Sequence, residues 1–290
     1  MTIERNDIRP AVYAGSWYED DPARLRAAVD SYMDRAEIPP DLGIVYGIIS
    51  PHAGHIYSGH VAGYAYKPVR GNVYDTVIVV APNHADPALT FTSIYARGGY
   101  ETPLGVIPVD TETATLIAEY DSDNDIRISD YGHMSGFGGR MEHSLEIQLP
   151  FLQAALGEFR LVPVVMGNRD GGRRSCTALG NAIAAAVDGK NTLVVASTDL
   201  SHFHDAETLK ALDDVVAEHV RGYDPEGLLR DINAGVGEAC GALPTAAVMI
   251  ACRSLGATEG VVLKMAHSGE ISGDYTSAVG YMAAVLTGPE

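Results

Sequence analysis

Three runs of apolar and β-branched residues dominate the pattern of hydrophobic and polar positions: Ile44–Ile49, Tyr74–Val80 and Asn191–Ser197. An apolar run of this length, closed by turn-forming residues, predicts a buried strand. The first lies in the segment GIVYGIISPHAGHIYSG, and Pro51 cannot donate to a sheet ladder, so the strand must stop there. Between these runs the apolar positions take helical spacing. Asp21 as cap and Pro22 at the first helical position open a helix with Leu25, Ala28, Val29, Tyr32, Met33 and Ala36 on one face, and Pro39-Pro40 ends it.

Further helices are expected over Gly59–Tyr66, Asp110–Tyr120, from Glu142 through Leu149, Leu152 and Leu156, and over Ser175–Val187, Asp205–Tyr223, Asp224–Asn233 and Ala242–Leu255. Further strands are expected over Leu89–Ala96, Leu161–Met166, Val261–Ala266 and Ala278–Leu286, with a strand or hairpin arm over Pro103–Pro108. Residues 10–21 read as an irregular aromatic lead-in, and Asp121–Arg140 as a long polar, Gly-rich loop. Strands alternating with helices predict a three-layer α/β/α sandwich with a largely parallel or mixed central sheet. No internal repeat, low-complexity tract or linker divides the chain, so residues 1–290 are read as a single domain.

Composition narrows the partners. The formal net charge of -18 repels phosphate backbones, which argues against nucleic acid. The N-terminus lacks a basic segment followed by an apolar one, and no apolar stretch approaches membrane-spanning length. Cys176, Cys240 and Cys252 form neither a CxxC nor a disulfide framework, so the reducing cytoplasm is the expected compartment.

Chemistry gathers where the three strongest strands end. His52 follows the first, His84 the second, and Asp199 with His202 the third. In a parallel sheet these ends share one edge, so residues distant in sequence converge. A single histidine after a strand is ordinarily a satisfied loop residue; three at strand ends together point to a site. Cys240 precedes a helix start, where peptide N–H groups would favour the thiolate, although a buried small hydrophobe is the alternative for this residue. Two imidazoles with a thiolate or carboxylate suffice for iron, copper or zinc and do not suit magnesium or calcium. His202 would remain as an acid/base oriented by Asp199. His143 and Glu146 share one helical face, reaching the cleft behind the metal ligands or forming an N-terminal turn with Glu placed for the helix dipole. Trp17 reads as a surface plug or a cleft wall. Cys176 and Cys252 lie in helical patterns and read as core.

Gly15-Ser16-Trp17-Tyr18, Pro51-His52-Ala53-Gly54, Pro82-Asn83-His84, Glu142-His143-Ser144-Leu145-Glu146, Ser197-Thr198-Asp199-Leu200-Ser201-His202 and Cys240-Gly241 occur here in one order. In that order the chain resembles the Memo family, from about Arg9 to Leu286. The resemblance implies the fold of the class III (LigB-type) extradiol dioxygenases, with a metal cleft at one sheet edge. It also implies His52, His84 and Cys240 as metal ligands with Asp199 and His202 beside them. Iron (Fe2+) or copper is the implied cofactor, with zinc a further candidate. The implied partner is a small molecule or peptide, with a functional link to a radical-SAM protein. A thiolate in place of the dioxygenase glutamate makes the site softer and more oxidisable, so dioxygenase activity does not follow from the fold. The expected function is a metal-dependent oxidoreductase of dioxygenase-like type. Two alternatives stand beside it: a peptide- or phospho-ligand-binding module using the same cleft, and a thiol hydrolase or transferase with Cys240 as nucleophile and His202 as base.

Overall fold

The computed structural model describes residues 4–120, 125–167, 172–187 and 189–289. In chain order the elements are β1 (Ile8–Arg9), α1 (Pro22–Arg35), β2 (Ile44–Ser50), α2 (His55–Tyr66), β3 (Thr76–Pro82), β4 (Thr92–Ile94), β5 (Gly99–Thr102), β6 (Gly105–Pro108) and α3 (Thr111–Tyr120). There follow β7 (Ile126–Ile128), α4 (His143–Glu146), α5 (Leu149–Leu156), β8 (Arg160–Met166), α6 (Arg173–Ala186), β9 (Thr192–Ser197) and β10 (His202–His204). The chain closes with α7 (Ala206–Arg221), α8 (Pro225–Asn233), α9 (Ala242–Leu255), β11 (Glu259–His267), α10 (Gly269–Ser272) and β12 (Ala278–Gly288).

Among the described residues a nine-stranded sheet runs β10-β12-β2-β9-β3-β8-β4-β7, with β11 also paired to β12. Its centre, β2-β9-β3-β8, is parallel; β12 joins β2 and β4 joins β8 antiparallel. The three strong apolar runs are therefore β2, β3 and β9, side by side. Each is covered on both faces, which is why they read as continuous rather than alternating. In β3, Val77, Val79 and Ala81 join one core while Ile78 and Val80 join the other. The first core packs against α1, α2 and α5 through Leu25, Val29, Met33, Val61 and Leu152. The second packs against α6, α7 and α9 through Leu179, Ile183, Val216 and Val248. This is the expected three-layer sandwich. Cys176 and Cys252 lie in the second core.

Several expectations needed correction. A strand not expected from the sequence precedes the lead-in: β1 pairs with β5, and β5 with β6, in a separate three-stranded sheet. A two-residue strand carries no periodicity of its own. The predicted strand Leu89–Ala96 shrinks to Thr92–Ile94. The predicted loop Asp121–Arg140 contains β7, paired with β4, while its residues 121–124 lie outside the described residues. The single helix expected from Glu142 is two, because α4 stops at Glu146 and α5 restarts with Pro150 in its first turn. No helix among the described residues is long and apolar enough to cross a membrane.

Candidate metal centre

The parallel centre of the sheet aligns the strand ends. His52 lies two residues beyond β2, His84 two beyond β3 and Asp199 two beyond β9. Cys240 is brought to the same edge by the turn before α9. Its backbone N–H donates to the Asp199 carbonyl at 3.2 Å, and the Gly241 N–H to Thr198 Oγ1 at 3.0 Å. A Cβ at Gly241 would collide with the Ser197 carbonyl oxygen, so only glycine lets this turn approach so closely.

His52, His84 and His143 each offer a ligand atom, and these atoms lie within 4.8 Å of one another. In every ring Nδ1 is already engaged by protein. The Glu142 carboxylate takes His84 Nδ1 at 3.0 Å and His143 Nδ1 at 3.1 Å. A carboxylate only accepts, so His84 Nδ1 is the donor and its Nε2 keeps a lone pair in the neutral ring, while His143 Nδ1 faces the same oxygen at ion-pair distance. Glu142 also caps α4, accepting the backbone N–H groups of His143 and Ser144 at 3.0 Å each, along with those of His84 and Ala85.

His52 reaches the same tautomer by another route. Ser197 Oγ donates its one proton to the Ser144 carbonyl at 2.7 Å and accepts from Gln148 Nε2 at 2.8 Å. The Gln148 amide is fixed by Tyr66, whose hydroxyl donates to Oε1 at 2.6 Å. Ser197 therefore has only a lone pair to offer His52 Nδ1 at 2.9 Å, so Nδ1 carries the proton and Nε2 keeps its lone pair, turned to Cys240 Sγ at 3.2 Å. Burial lowers the His52 pKa well below the usual imidazole value, with His143 and His84 adding to the effect. Burial likewise takes His143 down to about 4. Burial pushes the Glu142 carboxyl up, but the His84 hydrogen bond, the nearby His143 and His84 charges and the Ser144 N–H outweigh it and hold the group ionised. The donor set thus fits a transition metal: neutral imidazoles with oriented Nε2 lone pairs and a carboxylate behind two of them.

Comparisons with known proteins identify the family of the chain. A family profile described as "Memo-like protein" matches residues 9–285. The chain belongs to the Memo family. A MEMO1 family protein of Methanothermobacter thermautotrophicus is 36% identical over 282 residues, covering 94% of this chain and 98% of the relative. One of Methanopyrus kandleri is 34% identical over 288 residues, covering 96% of this chain and 98% of the relative. In fold, the chain is similar to an uncharacterized protein from Escherichia coli K12, with a TM-score of 0.56 and 13% identity, covering 84% of this chain and 100% of that one.

The other predicted residues of this Memo-family chain fall at different distances from the three imidazoles. Cys240 Sγ lies 3.2 Å from His52 Nε2 and accepts the Asp199 backbone N–H at 3.3 Å. Its expected thiolate character is corrected: burial, with the Asp199 charge, raises the thiol pKa well above its ordinary value. Asp199 does not orient His202. It accepts the His52 N–H at 2.7 Å and the Ala53 N–H at 3.3 Å through Oδ1, while Oδ2 stands 4.0 Å from His52 Nε2. Burial raises its carboxyl to about 7, against the pull of those two N–H groups.

Among the described residues, the carboxylate beside His202 is Glu238, which accepts the His202 N–H at 3.0 Å and His204 Nε2 at 2.9 Å. His202 and Trp17 both line the cleft of about 640 Å³ that opens over His52, His84 and His143. The Trp17 ring centroid is 4.5 Å from that of His143. Glu146 points the other way, into a buried pair with Arg9 at 2.5 Å, and accepts the Tyr18 hydroxyl at 2.6 Å. Sequence reasoning gave no role to Glu142, Ser197 and Gln148. The acid at 142, one residue before a helix start and beside His143, was the available signal; nothing local marked the other two.

Proposed function

We propose that this Memo-family protein binds iron or copper in the cleft and supports redox or oxygen-linked chemistry on a small substrate. The observation that carries this reading is the convergence of three imidazoles whose ligand atoms lie within 4.8 Å of one another, with Nδ1 of each turned to a protein partner. His52 and His84 would hold the metal. The third ligand is His143, which completes the imidazole set, or Cys240, whose Sγ flanks His52. Imidazole and thiol donors suit iron, copper and zinc.

When bound, such a metal supplies a redox-active Lewis acid. The chain's own residues do the rest. Asp199, with a carboxyl raised to about 7, can hold or release a proton at Oδ2 near neutrality, since Oδ1 is occupied by two N–H groups. His202 lines the cleft from β10 and, with its pKa lowered by burial, can accept one. Trp17 and Tyr57 supply aromatic surface to the cleft wall. The thiol-hydrolase alternative is less favoured, because the imidazole at Cys240 Sγ is His52 rather than His202 and the thiol is held protonated.

The test is anaerobic reconstitution with ferrous iron or copper, followed by elemental analysis of wild type, His52→Ala, His143→Ala and Cys240→Ser. Wild type is expected to take up metal and His52→Ala to lose it; whichever of the other two loses it identifies the third ligand. A wild type that stays metal-free, or a His52→Ala that binds unchanged, overturns the reading.

A further inference from the structure

Phe203 carries two costs with no visible return. Its φ is +62°, in the left-handed region that favours glycine, and its side chain is 74% exposed. The cause is local: the register of β10 against β12 shifts between His202 and His204, leaving Phe203 as the extra residue of a β-bulge. Glycine or asparagine commonly takes such a position, and bulges next to sites re-aim side chains. Here the bulge turns an aromatic ring to the cleft, where Phe203 is a lining residue. Glu238 holds it there by accepting from residues on both sides of it, the His202 N–H and His204 Nε2. Strain kept beside a site and paired with an exposed apolar ring points to a function met only when the site is filled.

The rest of the wall restricts what fills it. Among the described residues lining the cleft there is no lysine or arginine, while Asp199 and Asp274 are both present. Trp17 and Tyr57 add further aromatic surface, and Ser268, Ser272 and Ser277 add hydroxyl groups.

We propose that Phe203 is the specificity-determining cap of this cleft, stacking on the planar apolar ring of a small molecule that carries no anionic group, with Glu238 as the positioning residue that holds the cap. This rests on the proposed function only in using the same cleft; ring binding and metal binding are separately measurable.

Trp17 is the only tryptophan, so its fluorescence reports occupancy. The probes are 4-nitrobenzyl alcohol and its anionic counterpart, 4-nitrophenyl phosphate, added to metal-free and metal-loaded wild type and variants, with calorimetry as the second readout. Metal-free wild type is expected to bind the alcohol at least tenfold more tightly than the phosphate. Phe203→Gly is expected to weaken alcohol binding about tenfold while melting at the wild-type temperature or above, since glycine relieves the backbone. Phe203→Trp is expected to restore binding. Glu238→Ala is expected to resemble Phe203→Gly in affinity, and Glu238→Gln to retain most of it. Metal content, measured on the same samples, is expected to be unchanged in Phe203→Gly; if wild type holds no metal, the function reading fails while the ring-binding result still decides the cap. Unchanged alcohol affinity in Phe203→Gly, a melting temperature lowered by several degrees there, or preference for the phosphate in metal-free protein would each overturn the proposal.

Discussion

The Arg9 guanidinium lies 2.5 Å from the Glu146 carboxylate, and both groups are shut off from water. Arg9 also donates to the Glu142 carbonyl at 2.7 Å and the His133 carbonyl at 3.2 Å, so the pair ties the N-terminal strand to the helix that carries His143. Burying the pair costs solvation, but breaking it strands a charge. Arg9→Met is expected to lower unfolding free energy by about 3–5 kcal/mol, and Arg9→Met with Glu146→Gln by less than the sum of the single changes. Urea titration of the four proteins checks this.

Both ring Nδ1 atoms meet the single Glu142 Oε1, while Oε2 accepts the His84 and Ala85 N–H groups. Glu142→Gln turns one of these oxygens into a donor, so either the shared partner of the two rings or the backbone anchor of the His84 turn is lost. Metal affinity is expected to fall by about 10–100-fold, measured by competition with a chelator. The same loss in Glu142→Asp would show that reach as well as charge matters.

His55 gives a pH dependence with a definite sign. It is buried, its Nε2 meets the Ile147 carbonyl at 3.1 Å, and its Nδ1 has no partner among the described residues. Burial takes its pKa from 6.5 down to about 4. The unfolded chain therefore binds a proton that the folded chain refuses between those values. The contribution is complete above pH 6.5 and is lost as pH falls towards 4. His55→Leu is expected to shrink the stability difference between pH 7.5 and 4.5 by about 2.5 kcal/mol. Urea midpoints at the two pH values measure it.

Asp213 acts in the opposite direction. It is buried, accepts the Ser201 N–H at 2.9 Å, and burial raises its carboxyl from 3.8 to about 6. The folded state keeps a proton that the unfolded state releases, so stability is present below 3.8 and lost as pH rises through 6. Asp213→Asn keeps the acceptor for Ser201 and removes the charge. It is expected to raise the melting temperature at pH 8, by the equivalent of about 2–3 kcal/mol, and to change it little at pH 4.

The parts of the site that were legible are those fixed by strand ends. His52, His84 and Asp199 each follow a long apolar run, and the parallel sheet aligns them without help from the side chains. Cys240 was legible only as a cysteine before a helix. A helix start favours a thiolate only when solvent or a cation shares the charge; burial beside Asp199 instead raises the Cys240 thiol pKa. His143 was placed on the correct helix but read as support, since its distance from His52 depends on a turn at Glu142 that no periodicity reveals. The pairing of His202 with Glu238 instead of Asp199 depends on a bulge, and a bulge leaves no period in three residues. Glu146 and Arg9 are 137 positions apart, so their partnership was invisible to any local pattern.

The order in which the sheet is built has a consequence for when the centre can exist during synthesis. Strand β2, which delivers His52, has β9 and β12 as its neighbours, and both are made long after it. His52 and Cys240 stand 188 positions apart. Closing loops of this length is slow, and the edge that holds His52 has no partner until the second half of the chain has left the ribosome. Metal that met the growing chain would find scattered imidazoles without their Glu142 and Ser197 supports. On the proposed function, loading would follow folding, and a chain stopped before β12 would leave β2 as an open strand edge prone to joining other chains.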